Sequence, residues 1–183
     1  MVYVHLAEGF EEVEALTVVD VLRRAEIDVK TVSVTGAKQV AGTHGVYVES
    51  DITYEEADYD GCDMIVLPGG LPGATNLQSH QGLAGQIKAF AESGKKLAAI
   101  CAAPMVLAEC GVIDGKKATI YPGMEKQLKG AKATGEDVVC DGNVITGKGP
   151  ALAMEFALAL VEEIKGKEAA DDVAEGLLYE RKC

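Results

Sequence analysis

The sequence has no tryptophan, few aromatic residues (5%) and no apolar run long enough to span a bilayer. Its three histidines are scattered, so no spacing of cysteine and histidine resembles a zinc site. The five cysteines are odd in number and form no C-x-x-C pair. This pattern disfavours a disulfide framework and favours a reducing compartment. We therefore expect a cytoplasmic protein without a metal or another cofactor.

Basic residues are scarce relative to acidic ones. Lysine and arginine number 17 against 29 aspartates and glutamates, which gives a formal net charge of -12 at pH 7. Such a surface repels phosphate backbones and anionic lipids, so we expect neither nucleic acid nor membrane partners. Residues 1–5 lack the basic residues with which a signal peptide begins, and a strand pattern starts there at once.

What the sequence does have is a regular alternation of strand and helix patterns over 183 residues, a length that suits one domain. The predicted strands cover residues 2–6, 29–35, 63–67 and 97–100, with hairpins at 38–48 and 138–146. The predicted helices cover residues 11–25, 83–92, 104–109, 151–164 and 169–178. The alternation predicts an α/β fold with one doubly wound, mostly parallel sheet covered by helices on both faces.

Three loops leave the carboxyl ends of predicted strands. They comprise residues 7–14, residues 68–73 and the segment that begins at Cys101. In open parallel sheets, ligands bind outside the carboxyl ends of the strands, near a topological switch point. We therefore expect the three loops to meet at one edge of the sheet.

Cys101 stands where an apolar strand pattern passes directly into a helix pattern. The small residues Ala99, Ala102 and Ala103 satisfy the steric requirement of a nucleophile elbow. We expect the helix N-terminus to favour the thiolate and the Ala102 amide to stabilise an oxyanion. The alternative is that Cys101 is a small buried apolar residue, as most free cysteines are. The other four cysteines lack this setting and are interpreted as packing or surface residues: Cys62, Cys110, Cys140 and Cys183.

Two further features of these loops each allow two interpretations. Glu14 shares a helix face with Val18 and Val21, so it is either a half-buried proton carrier or an acid favoured by a helix start. Gly69 and Gly70 either bring backbone amides close to a substrate or form a plain turn. The residues alone leave both questions open.

The histidines provide no visible partner for Cys101. His44 and His80 are interpreted as exposed loop residues, and His5 as a packed or hydrogen-bonded strand residue. Residues 147–150 lack the Lys-Ser/Thr pair of a phosphate-binding loop and are interpreted as the turn into the last long helix. A hydrolase or amidase is therefore the weakest hypothesis, because it lacks a partnered base.

A set of motifs in this order resembles the ThiJ/PfpI superfamily, most closely its Parkinsonism-associated protein deglycase branch. The matching segments are residues 11–14 with 19–25, 66–70 with 73–74 and 76–77, 99–102 with Pro104, and 149–150 with 155–158. The resemblance covers nearly the whole chain and implies one ThiJ/PfpI-like domain over residues 1–183. It also implies a flavodoxin-like sandwich and a homodimer.

The resemblance assigns roles to residues of the three loops. It implies that Cys101 is a nucleophilic, oxidisable thiol, that Glu14 is the protonated glutamate beside it, and that Gly70 and Ala102 supply oxyanion-type amides. The activity implied is cofactor-free conversion of glyoxals to hydroxy acids, or repair of glyoxal-modified groups. The alternative is a redox sensor or stress chaperone in which Cys101 becomes a sulfinate.

Two departures from the family pattern matter. Protease-like members have a histidine directly after the cysteine, where this chain has Ala102, so we expect no peptidase activity. The deglycase branch often has a histidine before the proline that matches Pro122, where this chain has Tyr121. Tyr121 is then a substrate-binding residue and a poor base near neutral pH, which leaves Glu14 to transfer protons.

Overall fold

The computed structural model describes residues 1–181. Its strands are β1 Val2–Leu6, β2 Val29–Ser33, β3 Gln39–Ala41, β4 Tyr47–Glu49, β5 Ile52–Thr53, β6 Met64–Leu67, β7 Lys96–Ile100, β8 Lys117–Ala118, β9 Lys132–Ala133, β10 Val138–Asp141 and β11 Val144–Gly147. Its α-helices are α1 Glu12–Arg24, α2 Gly73–Ser79, α3 Gln81–Ser93, α4 Pro104–Glu109, α5 Ala153–Lys165 and α6 Lys167–Gly176.

The central sheet has seven strands in the order β10-β11-β7-β6-β1-β2-β5. All neighbouring pairs are parallel except β10 with β11, which form an antiparallel hairpin. The chain moves from β1 to β2 in one direction and from β6 to β7 in the other. The topological switch point therefore lies between β1 and β6, where doubly wound folds place their ligands. The predicted α/β fold with a mostly parallel sheet is confirmed.

The helices pack in two groups around this sheet. Helix α1 packs against α5, and α5 packs against α6, whereas α2 packs against α3 and α4. Strands β6 and β7 between the two groups are almost wholly buried and, apart from Lys96 at the start of β7, consist of apolar residues. This is the pattern of strands covered on both faces. Within residues 1–181, no helix has the length and apolar character needed to cross a membrane.

The structure differs from the predicted elements at several places. Helix α2 begins at Gly73, the last residue of the predicted 68–73 loop, where the sequence predicted no helix. The short strands β5, β8 and β9 were also not predicted. The last long helix opens with a 3-10 turn over Pro150–Leu152, so α5 begins two residues later than expected. The interpretation of Cys183 falls outside the described residues.

Candidate active site

The three loops predicted to converge meet at the carboxyl ends of β1, β6 and β7. The Glu11 amide donates to the Gly69 carbonyl at 3.0 Å. The Gly69 amide in turn donates to Glu14 Oε2 at 2.7 Å. A Cβ atom on Gly69 would lie 2.7 Å from Cys101 Cβ and 2.8 Å from Glu14 Oε2. Only glycine at position 69 therefore lets the three loops approach this closely.

The backbone of Cys101 adopts a conformation that is rare for a side chain with a Cβ atom. Its φ angle is +61°, in the left-handed region. Two backbone hydrogen bonds hold it there: the Cys101 amide donates to the Gly147 carbonyl, and the Tyr121 amide donates to the Cys101 carbonyl, both at 2.9 Å. Such strain concentrates at functional sites, because the surrounding structure must enforce it.

The Cys101 sulfur faces two backbone donors. The amides of Gly70 and Ala102 act as hydrogen-bond donors to it and stabilise the thiolate form. Gly70 has a φ angle of +85°, which turns its amide into the site. The side chain of Cys101 is only 8% exposed, yet it contributes to the wall of a pocket. The setting is a strand-to-helix elbow with amides around the reactive atom.

Glu14 is fully buried beside this thiol. Burial raises the pKa of its carboxyl to about 7, against the effect of the Gly69 hydrogen bond. Its second oxygen, Oε1, is buried without a well-formed hydrogen bond in the described structure. The interaction between the Glu14 carboxyl and the Cys101 thiol is therefore loosely aligned. An acid in this state can hold or release a proton near neutral pH.

The expectation that a helix N-terminus lowers the pKa of Cys101 was wrong. Burial raises the pKa of the thiol to about 12, and the charge of Glu14 acts in the same direction. Helix α4 begins only at Pro104 and is six residues long. Its dipole cannot outweigh a buried carboxylate in contact with the sulfur. The thiolate is favoured when Glu14 carries the proton, because the opposing charge is then absent.

A pocket of about 500 Å³ opens above the sulfur. Its walls are formed by Glu11, Thr43, His44, Gly70, Leu71, Cys101, Ala102, Tyr121, Met124 and Pro150. Tyr121 is 47% exposed and borders the pocket as a predicted substrate-binding residue should. Gly69, which was also predicted to bind substrate, does not reach the pocket. Its amide is used to hold Glu14 instead.

His44 was interpreted as a plain exposed loop residue, and that interpretation was incomplete. It lies in the turn between β3 and β4, and its Nδ1 is 2.9 Å from Glu12 Oε2. The signal available in the sequence was a histidine between Gly42 and Gly45 in a predicted hairpin, but nothing indicated its partner. His80 is half-buried rather than exposed, and it caps the N-terminus of α3 by accepting from the Leu83 amide.

Glu11, Glu12 and His44 also form the one group of potential metal ligands found within residues 1–181, with ligand atoms within 4.8 Å of one another. Nδ1 of His44 and both oxygens of Glu12 already take part in hydrogen bonds between the two residues. A metal ion would have to displace these bonds. The arrangement fits a hydrogen-bonded carboxylate–histidine pair.

Comparison with known proteins gives a consistent result. The model of the DJ-1/PfpI family matches residues 1–163. Protein dj-1beta of Drosophila melanogaster is 45% identical over 176 residues, which cover 94% of each chain. Glutathione-independent glyoxalase DJR-1.2 of Caenorhabditis elegans is 31% identical over 171 residues, which cover 93% of this chain and 91% of the relative.

The structural comparison agrees with the sequence comparison. The crystal structure of Drosophila melanogaster DJ-1beta matches with a TM-score of 0.93 and 40% sequence identity. The match covers 98% of this chain and 97% of that chain. The two folds are therefore similar over nearly the whole chain.

Proposed function

Since the chain belongs to the DJ-1/PfpI family, we propose that it is a cofactor-free enzyme that converts reactive dicarbonyls such as glyoxals into hydroxy acids through Cys101. The observation that carries the proposal is the buried pair of Cys101 and Glu14 at the floor of a pocket. The relative named as a glyoxalase that needs no glutathione supports the same class of substrate.

The first step is attack of the Cys101 sulfur on the aldehyde carbon of the dicarbonyl. Glu14 accepts the thiol proton as the C–S bond forms, and this proton passes to the carbonyl oxygen to give a hemithioacetal. The amides of Gly70 and Ala102, which face the sulfur, stabilise the developing negative charge. No external base is required, because the raised pKa of Glu14 suits proton exchange near pH 7.

The second step is an internal transfer of oxidation state between the two carbons. Glu14 removes the proton from the former aldehyde carbon and returns a proton to the neighbouring carbon. The former aldehyde carbon becomes a thioester and the ketone carbon becomes an alcohol, so no oxidant or reductant is consumed. Water then hydrolyses the thioester and releases the hydroxy acid and the free thiol.

Repair of glyoxal-modified amines and thiols would form the same C–S bond at the tetrahedral carbon of the adduct, while its C–N or C–S bond breaks and the released amine or thiol takes up the proton from Cys101. The pocket is open enough to admit a small adduct on a larger molecule, since Leu71 and Tyr121 at its border are 55% and 47% exposed. Peptidase activity is not part of the proposal, because Ala102 stands where the protease-like branch has a histidine.

We also propose that the protein is a homodimer. The exposed side of α1 carries Val13 and Leu16, which are 52% and 40% exposed. The β3–β4 hairpin contributes Val46 and Tyr47, which are 50% and 67% exposed. A surface with several large exposed apolar side chains is typical of an interface. Light scattering after size-exclusion chromatography tests this: a monomeric mass would contradict it.

The alternative function, a redox sensor, is favoured by one specific observation. Glu14 Oε1 is buried beside Cys101 without a well-formed hydrogen bond. A protonated Glu14 could donate from this oxygen to a sulfinate on Cys101. Mild peroxide treatment followed by peptide mass spectrometry tests it. If Cys110 or Cys140 gains oxygen before Cys101 does, the sensor function is excluded.

The dicarbonyl activity is tested by lactate formation from methylglyoxal, comparing the wild-type protein with Glu14→Gln. The glutamine keeps the volume and an acceptor for the Gly69 amide, but it cannot carry a proton between carbons. We expect lactate formation to fall by about 100-fold or more. Full activity of Glu14→Gln would contradict the proposed mechanism.

A further inference from the structure

We propose that His44, oriented by Glu12, is a further catalytic residue: the general base that activates water to hydrolyse the acyl–Cys101 intermediate. This inference rests on the proposed function, since it assigns a residue to the last step of that reaction. Neither His44 nor Glu12 takes part in the steps described above.

His44 borders the same pocket as Cys101, and within one protomer its side chain is 70% exposed. Glu14 lies below the sulfur and is fully buried. The two groups are therefore placed differently with respect to solvent. A group on the wall of the pocket suits a step in which water attacks a bound intermediate, whereas a buried group suits proton transfer between substrate atoms.

Glu12 orients the imidazole of His44. Glu12 Oε2 is 2.9 Å from His44 Nδ1, and Glu12 Oε1 accepts from the His44 backbone amide at 2.7 Å. Burial disfavours the charged form of Glu12, but the hydrogen bonds from His44, together with those from the Glu12 and Val46 amides, outweigh burial and lower the pKa of its carboxyl. An ionised carboxylate can only accept, so Nδ1 must carry a proton. In neutral His44, Nε2 is then the free acceptor that a base requires.

Close packing of the β3–β4 turn against α1 brings Glu12 and His44 together. A Cβ atom on Gly42 would lie 2.3 Å from Glu12 Cδ, so only glycine lets the hairpin turn pack onto this carboxylate. Glu12 itself is 93% buried at the start of α1, with 7% of its surface exposed. The pair is thus held on one side by the helix and on the other by the turn.

The charged groups that face His44 all strengthen its basicity. The Glu12 hydrogen bond is the largest influence, and the charge of Glu11, whose Oε2 is 3.6 Å from Nδ1, is the next; both raise the pKa of the imidazole. Tyr121, across the pocket, is a poor base near neutral pH. Glu11 also borders the pocket, but it is largely buried and its Oε1 already accepts from the Val13 amide. His44 is therefore the lining group better suited to accept a proton from water.

His44 Nε2 accepts a proton from water as the oxygen attacks the thioester carbonyl carbon, and the amides of Gly70 and Ala102 stabilise the oxyanion. The tetrahedral intermediate collapses, the C–S bond breaks, and the proton on His44 passes to the departing Cys101 sulfur. The hydroxy acid leaves, and both residues return to their starting state.

The test uses acid-quenched intact-mass spectrometry during turnover of methylglyoxal. An acyl thioester survives acid, whereas a hemithioacetal reverts to free thiol on quenching. We expect His44→Gln to accumulate an acid-stable adduct, with the mass of one methylglyoxal, on Cys101. Its kcat should fall about 100-fold and KM should fall in proportion, so that kcat/KM stays near the wild-type value, because only the hydrolysis of the acyl–Cys101 intermediate is slowed. Glu12→Gln should show the same adduct with a smaller fall in kcat, because only the orientation of His44 is lost.

The matched control is Glu49→Gln, which removes an exposed carboxylate from the same hairpin and should behave as wild type. Circular dichroism confirms that the variants are folded. If the His44→Gln variant has a lowered kcat but does not accumulate the adduct, His44 acts at an earlier step and the inference is overturned. An unchanged kcat of the His44→Gln variant would overturn it as well. If wild type forms neither lactate nor adduct, the proposed function itself fails, which is a distinguishable result.

Discussion

The Glu14 carboxyl lies beside the Cys101 thiol, and the Gly69 amide holds it there through a 2.7 Å hydrogen bond to Oε2. Burial raises the pKa of both groups, to about 7 for Glu14 and about 12 for Cys101. Between these values the pair holds one proton. Transfer of that proton from sulfur to carboxylate creates the nucleophile and the acid together.

The packing at Gly69 gives the first prediction. Gly69→Ala would place a Cβ atom 2.7 Å from Cys101 Cβ and 2.8 Å from Glu14 Oε2. We expect the free energy of unfolding to fall by about 1–3 kcal/mol, as for other overpacked sites. Lactate formation should fall as well, because the thiol and the carboxyl are forced apart. Urea unfolding and the methylglyoxal assay measure the two effects.

The matched control for that substitution is Gly85→Ala within α3. A Cβ atom there would meet nothing within 4 Å. Because alanine is the better helix former, we expect this variant to be more stable by about 0.5–1 kcal/mol and fully active. Equal behaviour of the two variants would show that the contacts at Gly69 are not tight.

The raised pKa of Glu14 gives a prediction on stability. In the unfolded chain the carboxyl ionises near pH 4.5, whereas in the folded protein it ionises near pH 7. The wild type should therefore lose stability as pH rises from about 4.5 to 7, by roughly 3 kcal/mol from this group. Glu14→Gln should lack this loss. Glu92→Gln, which removes an exposed carboxylate, serves as the control and should lose stability over this pH range as the wild type does. Equal pH dependence of the wild type, Glu14→Gln and Glu92→Gln would contradict the assignment of the raised pKa to Glu14.

The lowered pKa of His5 gives a prediction on stability with the opposite pH dependence. His5 is fully buried with Nε2 2.8 Å from the Tyr59 hydroxyl, and burial lowers the pKa of its imidazole to about 3. In the unfolded chain the imidazole binds a proton below about pH 6.5, whereas in the folded protein it stays neutral down to about pH 3. Stability should therefore fall as pH drops from about 6.5 to 3, by up to roughly 5 kcal/mol from this group.

Unfolding of His5→Gln in urea at several pH values tests this. The variant should show a shallower acid dependence than wild type, whatever its absolute stability. His44→Gln removes an exposed histidine whose pKa is raised, so it should not reduce the acid dependence. If His5→Gln and wild type differ by a constant at every pH, the pKa of His5 is not lowered by burial.

Tyr121 gives a prediction on rate. It borders the pocket at the position where the family resemblance places a histidine. Tyr121→His would add a base near the substrate, so we expect kcat for methylglyoxal to rise roughly tenfold. Tyr121→Phe should change kcat little, because the tyrosine hydroxyl is a poor base. A large loss in Tyr121→Phe would show instead that the hydroxyl itself acts on the substrate.

The sequence was sufficient to predict most of what positions the site. Alternating strand and helix patterns predicted the parallel sheet, and parallel strands must bring their carboxyl ends to one edge. This is why Glu14, Gly69 and Cys101, far apart in the chain, were expected to meet. The small residues around Cys101 likewise predicted the elbow, because steric limits are local.

The parts that could not be predicted depend on packing between distant segments. The bond between Glu12 and His44 spans 32 positions and requires the hairpin to fold onto α1. The pKa of Cys101 was predicted in the wrong direction because the helix N-terminus is visible in the sequence, whereas the depth of burial is not. Local patterns do not contain desolvation or contacts across the fold.

The most direct test of the central claim compares lactate formation from methylglyoxal in wild type, Cys101→Ser and Cys140→Ser under reducing conditions. Cys140 is an exposed cysteine on β10, outside the walls of the pocket. We predict that Cys140→Ser forms lactate at the wild-type rate and that Cys101→Ser forms none above the uncatalysed reaction. Lactate formation by Cys101→Ser at the wild-type rate would contradict the claim that Cys101 is the nucleophile.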